Sequence, residues 1–127
     1  MALNHEKLFR IAAVVNIGAG VPLMVAPVLV AARLGLVIDP ASMVFAQVAG
    51  LAIAAFGALY WIAANNPPAF RPVIAVGMAV KLGVVGFVAI NFAIGAYGWK
   101  LPTLISADIV FSVLFYAFLR ETKEAGA

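Results

Sequence analysis

Long apolar stretches alternate with short polar segments along the chain, and this alternation is its main structural signal. An α-helix needs roughly 20 predominantly apolar residues to cross a bilayer. Four stretches meet that length, at about residues 8–32, 41–64, 70–96 and 101–120. The segments between them carry typical turn residues, such as Gly35 and Pro40. The pattern therefore predicts an all-α fold, an integral membrane four-helix bundle with up-down-up-down order in which residues 1–127 form one domain.

Composition strengthens this prediction and gives the bundle an orientation. The chain is 66% hydrophobic and 10% charged, whereas soluble domains carry roughly 25% charged residues. Most cations fall at one predicted end of the bundle, namely Lys7, Arg10, Arg71, Arg120 and Lys123, while Arg33 and Lys100 fall at the other. Because basic residues are retained on the cytoplasmic side, we expect a multi-pass membrane protein with both termini in the cytoplasm. The net charge of +3 reflects this topology and gives no reason to expect nucleic-acid binding.

Small residues recur every three or four positions in the first two predicted helices. The first stripe contains Ala12, Asn16 and Gly20, and the second contains Ala46, Gly50, Ala54, Gly57 and Ala58. Such stripes let membrane helices approach closely, so we expect both to face neighbouring helices. Pro22 and Pro27 interrupt the backbone hydrogen bonds of the first helix and are expected to kink its outer half.

Lys81, in the third predicted helix, is the most unusual residue of the chain. Charged residues inside membrane helices usually pair with one another or face a cavity. At about 1.5 Å per residue, Lys81 lies roughly 15 Å from Arg71 and Asp108 lies roughly 18 Å from Arg120. Both distances are measured from the same end of the bundle, so an ion pair between Lys81 and Asp108 is geometrically allowed.

Three interpretations of Lys81 remain open from the sequence. Lys81 could form a structural ion pair with Asp108, or it could serve a ligand or a proton. It could also extend to the cytoplasmic interface, or lie outside a span that begins only at Leu82.

The other polar candidates inside the spans are a serine and three amides. Ser112 lies one turn from Asp108. Gln47 and Asn91 project to the outer half and could meet each other, whereas Asn16 projects to the cytoplasmic half. For the amides, interhelical hydrogen bonds worth about 1 kcal/mol or less are a simpler role than ligand binding.

Catalytic side chains are sparse in this sequence. The chain has no cysteine, which excludes a thiolate nucleophile and a cysteine-bound metal cluster. Its single histidine, His5, precedes the first span, so a buried haem with two histidine ligands cannot form from one copy. We therefore expect no metal and no cofactor, and an enzymatic role is disfavoured.

The helix layout carries a family resemblance. The positions concerned are Arg10 with Asn16–Gly20, Leu34 and Gly35 after a proline-containing span, Gly50 and Gly57, and Asp108–Phe118. In this arrangement the chain resembles the small four-helix bacterial inner-membrane proteins of the DoxX-like kind. The resemblance is architectural and implies no functional residue.

Three hypotheses about function follow. The first is an accessory or binding subunit in the lipid bilayer, which packs against itself as a homo-oligomer or against a larger membrane complex. The second is a small oligomeric transporter or channel with Lys81 and Asp108 along its path. The third is a membrane enzyme that acts on a lipid or a quinone.

Overall fold

A computed structural model describes residues 4–123, and within that range the chain is helical without any strand. The helices are α1 (His5–Val25), α2 (Pro27–Arg33), α3 (Met43–Ala63), α4 (Arg71–Ala93) and α5 (Lys100–Glu121), with a 3₁₀ turn at Pro67–Phe70. All but α2 and the 3₁₀ turn are long and apolar enough to cross a membrane. Helices α3, α4 and α5 begin and end within three residues of the second, third and fourth predicted spans, respectively.

The first predicted span, residues 8–32, is divided into two helices at Ala26. This residue has a φ of −138° and a ψ of 61°, which is not helical. A residue before proline is sterically pushed out of the α region, whereas Pro27 itself suits the first position of a helix. The expected kink is therefore a break followed by the separate helix α2, and Pro22 is accommodated inside α1.

Helices α1 and α3 form a closely packed antiparallel pair. The α1 stripe of Ala12, Asn16 and Gly20 is buried, as are the two glycines of the α3 stripe. A β-carbon on Gly57 would lie 3.0 Å from the carbonyl oxygen of Ala13. Because that neighbour is backbone, the absence of a side chain is what allows the two helices to approach.

An aromatic core joins the α1/α3 pair to the α4/α5 pair in one half of the bundle. The ring of Phe9 lies 5.3 Å from that of Phe115 and 4.9 Å from that of Phe118, between centroids. Tyr60 packs on Phe115 at 5.2 Å, and all four rings are buried. Tilted and edge-to-face pairs of this kind contribute about 0.5–1.5 kcal/mol each beyond their burial. This half is termed the closed half.

The two helix pairs do not bury side chains against each other in the opposite half, termed the open half. Within Arg71–Ala93 no residue after Lys81 is buried, and within Lys100–Glu121 no residue before Ser112 is buried. Large apolar side chains such as Phe87 are exposed there instead. The last buried contacts between the pairs therefore lie near the level of Lys81.

Candidate functional site

Lys81 and Asp108 form an ion pair between α4 and α5. The Lys81 Nζ lies 2.9 Å from the Asp108 Oδ1. The two residues lie at a similar depth in the bundle, as the helical rise per residue predicted. Helix α4 runs without interruption from Arg71 to Ala93, so residues 71–80 do not form a separate helix before Lys81. Lys81 is only 5% exposed. Its ammonium group is therefore held inside the bundle and does not extend to the end of the helix.

Asn16 is the second partner of Lys81, and it connects the ion pair to the other two long helices. The Lys81 Nζ donates to the Asn16 Oδ1 at 3.1 Å. The Asn16 Nδ2 in turn donates to the backbone carbonyl of Ile53 in α3, also at 3.1 Å. One chain of hydrogen bonds thus joins α3, α1, α4 and α5. It is termed the polar network, and its members are Ile53, Asn16, Lys81 and Asp108.

Two aromatic rings cover the lysine in addition to these oxygen partners. The Lys81 Nζ lies 5.3 Å from the ring centroid of Phe111 and 5.8 Å from that of Tyr60. Cation–π contacts within about 6 Å stabilise a desolvated cation by up to about 2 kcal/mol. The charge of Lys81 is therefore compensated by a carboxylate, an amide oxygen and two ring faces.

The carboxylate side of the polar network is less enclosed than the lysine side. The Asp108 side chain is 23% exposed, against 7% for Lys81. Oδ1 of Asp108 accepts from Lys81, whereas Oδ2 accepts no hydrogen bond from residues 4–123. One turn further, Ser112 is buried, and its Oγ has no hydrogen-bond partner within the same range. Any exchange of a proton or a ligand at this site would therefore involve Asp108 before Lys81.

The two outer amides, which their depth would have allowed to meet, bond elsewhere. The Gln47 Nε2 donates to the carbonyl of Met24 at 3.4 Å, so it contacts α1. The Asn91 Nδ2 donates to the carbonyl of Phe87 within its own helix at 2.8 Å. The reason is the open half, where α3 packs on α1 and the end of α4 is exposed. Neither amide belongs to the polar network.

Sequence reasoning did not connect Asn16 to Lys81. Asn16 lies six residues after Arg10, or roughly 9 Å along the helix, so its depth was compatible with the reach of a lysine side chain. The missing information was the rotation of α1 about its axis, which directs the amide between α3 and α4. Depth placed Asn16 in the same half of the bundle as Lys81, but depth alone does not identify a contact.

The described residues form no recognisable metal site. No group of three or more histidine, cysteine or acidic side chains close enough to hold a metal occurs in the part of the chain that the structure describes. The polar network and the surfaces around it are the features of the molecule that bear on its function. The chain was compared with protein-family models, with curated proteins and with solved structures, and nothing in any of the three matches it.

Proposed function

We propose that the chain is a multi-pass membrane protein that serves as a non-catalytic accessory or binding subunit of a membrane assembly. The observation that carries this proposal is the bonding of Lys81, whose ammonium group has an ionic partner at 2.9 Å and an amide partner at 3.1 Å. These two partners hold the ammonium group in one position between the helices, which suits a structural role.

The orientation proposed for this subunit rests on the distribution of cations. The closed half carries Lys7, Arg10, Arg71, Arg120 and Lys123 at its end, and the open half carries only Arg33 and Lys100. With basic residues on the cytoplasmic side, both termini are cytoplasmic and the four long helices run up, down, up and down. The resemblance to DoxX-like proteins is the ground for proposing the bacterial inner membrane as the location.

The surface proposed for the partner is the exposed part of α4 in the open half. Gly83 and Gly86 have no heavy atom within 4 Å of the position of a β-carbon, and Phe87 beside them is 71% exposed. Glycines with open space at the β-carbon position, next to an exposed large apolar side chain, permit close approach of another helix. A helix from a larger membrane complex is the occupant that this proposal expects, and a second copy would make the assembly a homo-oligomer.

Gentle purification tests the proposal. The full chain, extracted in mild detergent and examined by native mass spectrometry, is expected to carry a partner of fixed mass. The variant Gly83→Leu is expected to lose that partner, since a side chain would occupy the approach surface. The matched control is Gly18→Leu, at another position with open space in a different helix. A wild-type chain recovered only as a monomer would contradict the subunit proposal.

A second candidate function is a small oligomeric transporter or channel, and the exposure of Asp108 favours it. A carboxylate that is 23% exposed with one free oxygen could bind a proton or a cation from the open half. Flux of protons or cations into proteoliposomes is then expected to fall sharply in Asp108→Asn. Flux that persists unchanged in both Asp108→Asn and Lys81→Met would contradict a role for the pair in permeation.

A further inference from the structure

An apolar groove lies on the outer surface of the α1/α3 pair, away from the polar network. Helix α1 contributes Val14, Ile17 and Gly18, and α3 contributes Ala58, Trp61 and Ile62. The groove is shallow and open to its surroundings, and its volume is about 670 Å³. Gly18 has nothing within 4 Å of a β-carbon position, so the groove continues over its backbone.

The end of the groove in the closed half carries two cations. Lys7, Arg10, Val14 and Gly18 follow one another at spacings of three and four, so they share one face of α1. The Arg10 guanidinium lies 4.3 Å above the Trp61 ring, and it donates to the Trp61 carbonyl at 3.0 Å and to the Asn65 Oδ1 at 2.8 Å. It is therefore fixed beside the groove.

Arg10 retains the capacity to bind an anion despite these contacts. A guanidinium has five N–H donors, and the contacts with Trp61 and Asn65 account for two of them. Glu6 approaches to 3.9 Å, but its side chain is 68% exposed and the contact is correspondingly weak. Lys7, one turn earlier, is exposed. A phosphate at this end would thus meet one cation that is held in place, Arg10, and one that is exposed, Lys7.

We propose that this groove binds one anionic phospholipid, with an acyl chain along Val14 and Gly18 and the phosphate at Arg10 and Lys7. The inference requires only that α1 and α3 lie in a bilayer. Each cation beside a membrane surface attracts anionic lipid by about 1 kcal/mol, so Lys7 and Arg10 favour an anionic head group at this end of the groove. A second copy is a poorer occupant, because a two-fold dimer with its axis along the membrane normal uses the same face twice. Such a dimer would bring Lys7 and Arg10 of one copy close to the same two cations of the other copy, and these like charges would repel.

Titration of the purified chain with defined lipids tests the head-group part of this proposal. Native mass spectrometry would compare phosphatidylglycerol with phosphatidylcholine of identical acyl chains. We expect one phosphatidylglycerol to bind more tightly, with a loss of about five-fold in Lys7→Gln and about 25-fold in the double variant Lys7→Gln/Arg10→Gln. The control is Arg33→Gln/Lys100→Gln, which removes two cations at the opposite end and leaves binding unchanged. The single variant is informative even if loss of Arg10 perturbs folding.

Filling the groove tests the acyl-chain part. Gly18→Leu places a side chain where no protein atom lies, so the fold is retained and the bound lipid is expected to be lost. Gly83→Leu makes the same change on α4 and leaves the lipid bound. Equal affinity for the two head groups, or equal loss of lipid in both glycine variants, would overturn the proposal. So would a dimer that disappears in Gly18→Leu, since a second copy would then be the occupant.

Discussion

Gly20 and Gly50 lie face to face between α1 and α3, and each occupies the space that a side chain on the other would need. A β-carbon on Gly20 would lie 2.5 Å from the carbonyl oxygen of Gly50, and one on Gly50 would lie 2.7 Å from the carbonyl oxygen of Gly20. Both obstacles are backbone atoms, which cannot rotate away. The contact between the two helices therefore depends on this pair.

The first prediction follows directly from that contact. Gly50→Val is expected to force α1 and α3 apart and to lower the free energy of unfolding by roughly 1–3 kcal/mol, as overpacking does. The measurement is unfolding by a denaturing detergent in mixed micelles, followed by circular dichroism. Gly83→Val is the control, because no atom lies near its β-carbon position. Equal destabilisation by the two variants would show that helix propensity, and not packing, sets the effect.

The second prediction concerns the ion pair. Removing one member leaves the other as an unpaired charge inside the bundle, so Lys81→Met and Asp108→Asn are each expected to cost roughly 3–5 kcal/mol of stability. The double variant is expected to be more stable than either single variant, and the same unfolding assay measures all three. Additive losses would contradict a structural pair. Lys100→Met, at an exposed position on α5, is expected to have little effect.

The third prediction concerns the contribution of Asn16 to stability, compared with that of another amide. In Asn16→Leu the ammonium of Lys81 loses its amide acceptor and the carbonyl of Ile53 loses its donor, so a loss of roughly 1–3 kcal/mol in unfolding free energy is expected. Asn91→Leu is the matched control, since the Asn91 amide bonds only within its own helix. If the two variants were equally stable, the link between α1 and the ion pair would be energetically unimportant.

The proposed orientation gives the fourth prediction. Because the chain contains no cysteine, a single introduced thiol is a unique label. Asn66→Cys, in the turn between α3 and α4, is expected to resist a membrane-impermeant maleimide added to intact cells. Val37→Cys, which lies between α2 and α3 and is 97% exposed, is expected to react. The reverse pattern would invert the topology, and permeabilised cells provide the positive control.

The fifth prediction concerns the titration of Asp39, which lies between α2 and α3 and outside the predicted membrane spans. The Asp39 carboxylate accepts from the Ser42 hydroxyl at 2.7 Å and from the Ser42 amide at 2.8 Å. These bonds favour the ionised form and hold the pKa of Asp39 below its ordinary value. Their stabilisation is present at neutral pH and is lost as the pH falls through the lowered pKa.

The carboxyl resonance of Asp39, followed by NMR against pH, checks that sign. Its midpoint is expected below the ordinary range in the wild type, and it is expected to move upward in Ser42→Ala. Ser106→Ala is the control, because Ser106 bonds to the carbonyl of Thr103 on α5 instead. A midpoint that does not respond to Ser42→Ala would mean that the turn is not formed in solution.

The sequence predicted helix positions and depths well because both depend on local chemistry. Apolar length locates α3, α4 and α5, and the rise per residue brought Lys81 and Asp108 to one level. The rotation of each helix and the angle between the two pairs depend on packing over the whole bundle. For this reason the Asn16 contact was missed, and a contact between Gln47 and Asn91 was left open although the two do not bond to each other. The break at Ala26 was underestimated because a proline in a membrane helix is often accommodated, as Pro22 is.

The location of both charges on consecutive helices has a consequence for biogenesis. Lys81 and Asp108 belong to α4 and α5, two long helices that follow each other directly along the chain. A helical hairpin made of these two segments can neutralise its own charges before it meets α1 and α3, so it need not carry a net buried charge into the lipid phase. Insertion of the second hairpin and its docking onto the first are thereby separable steps, with Asn16 recruited only in the second.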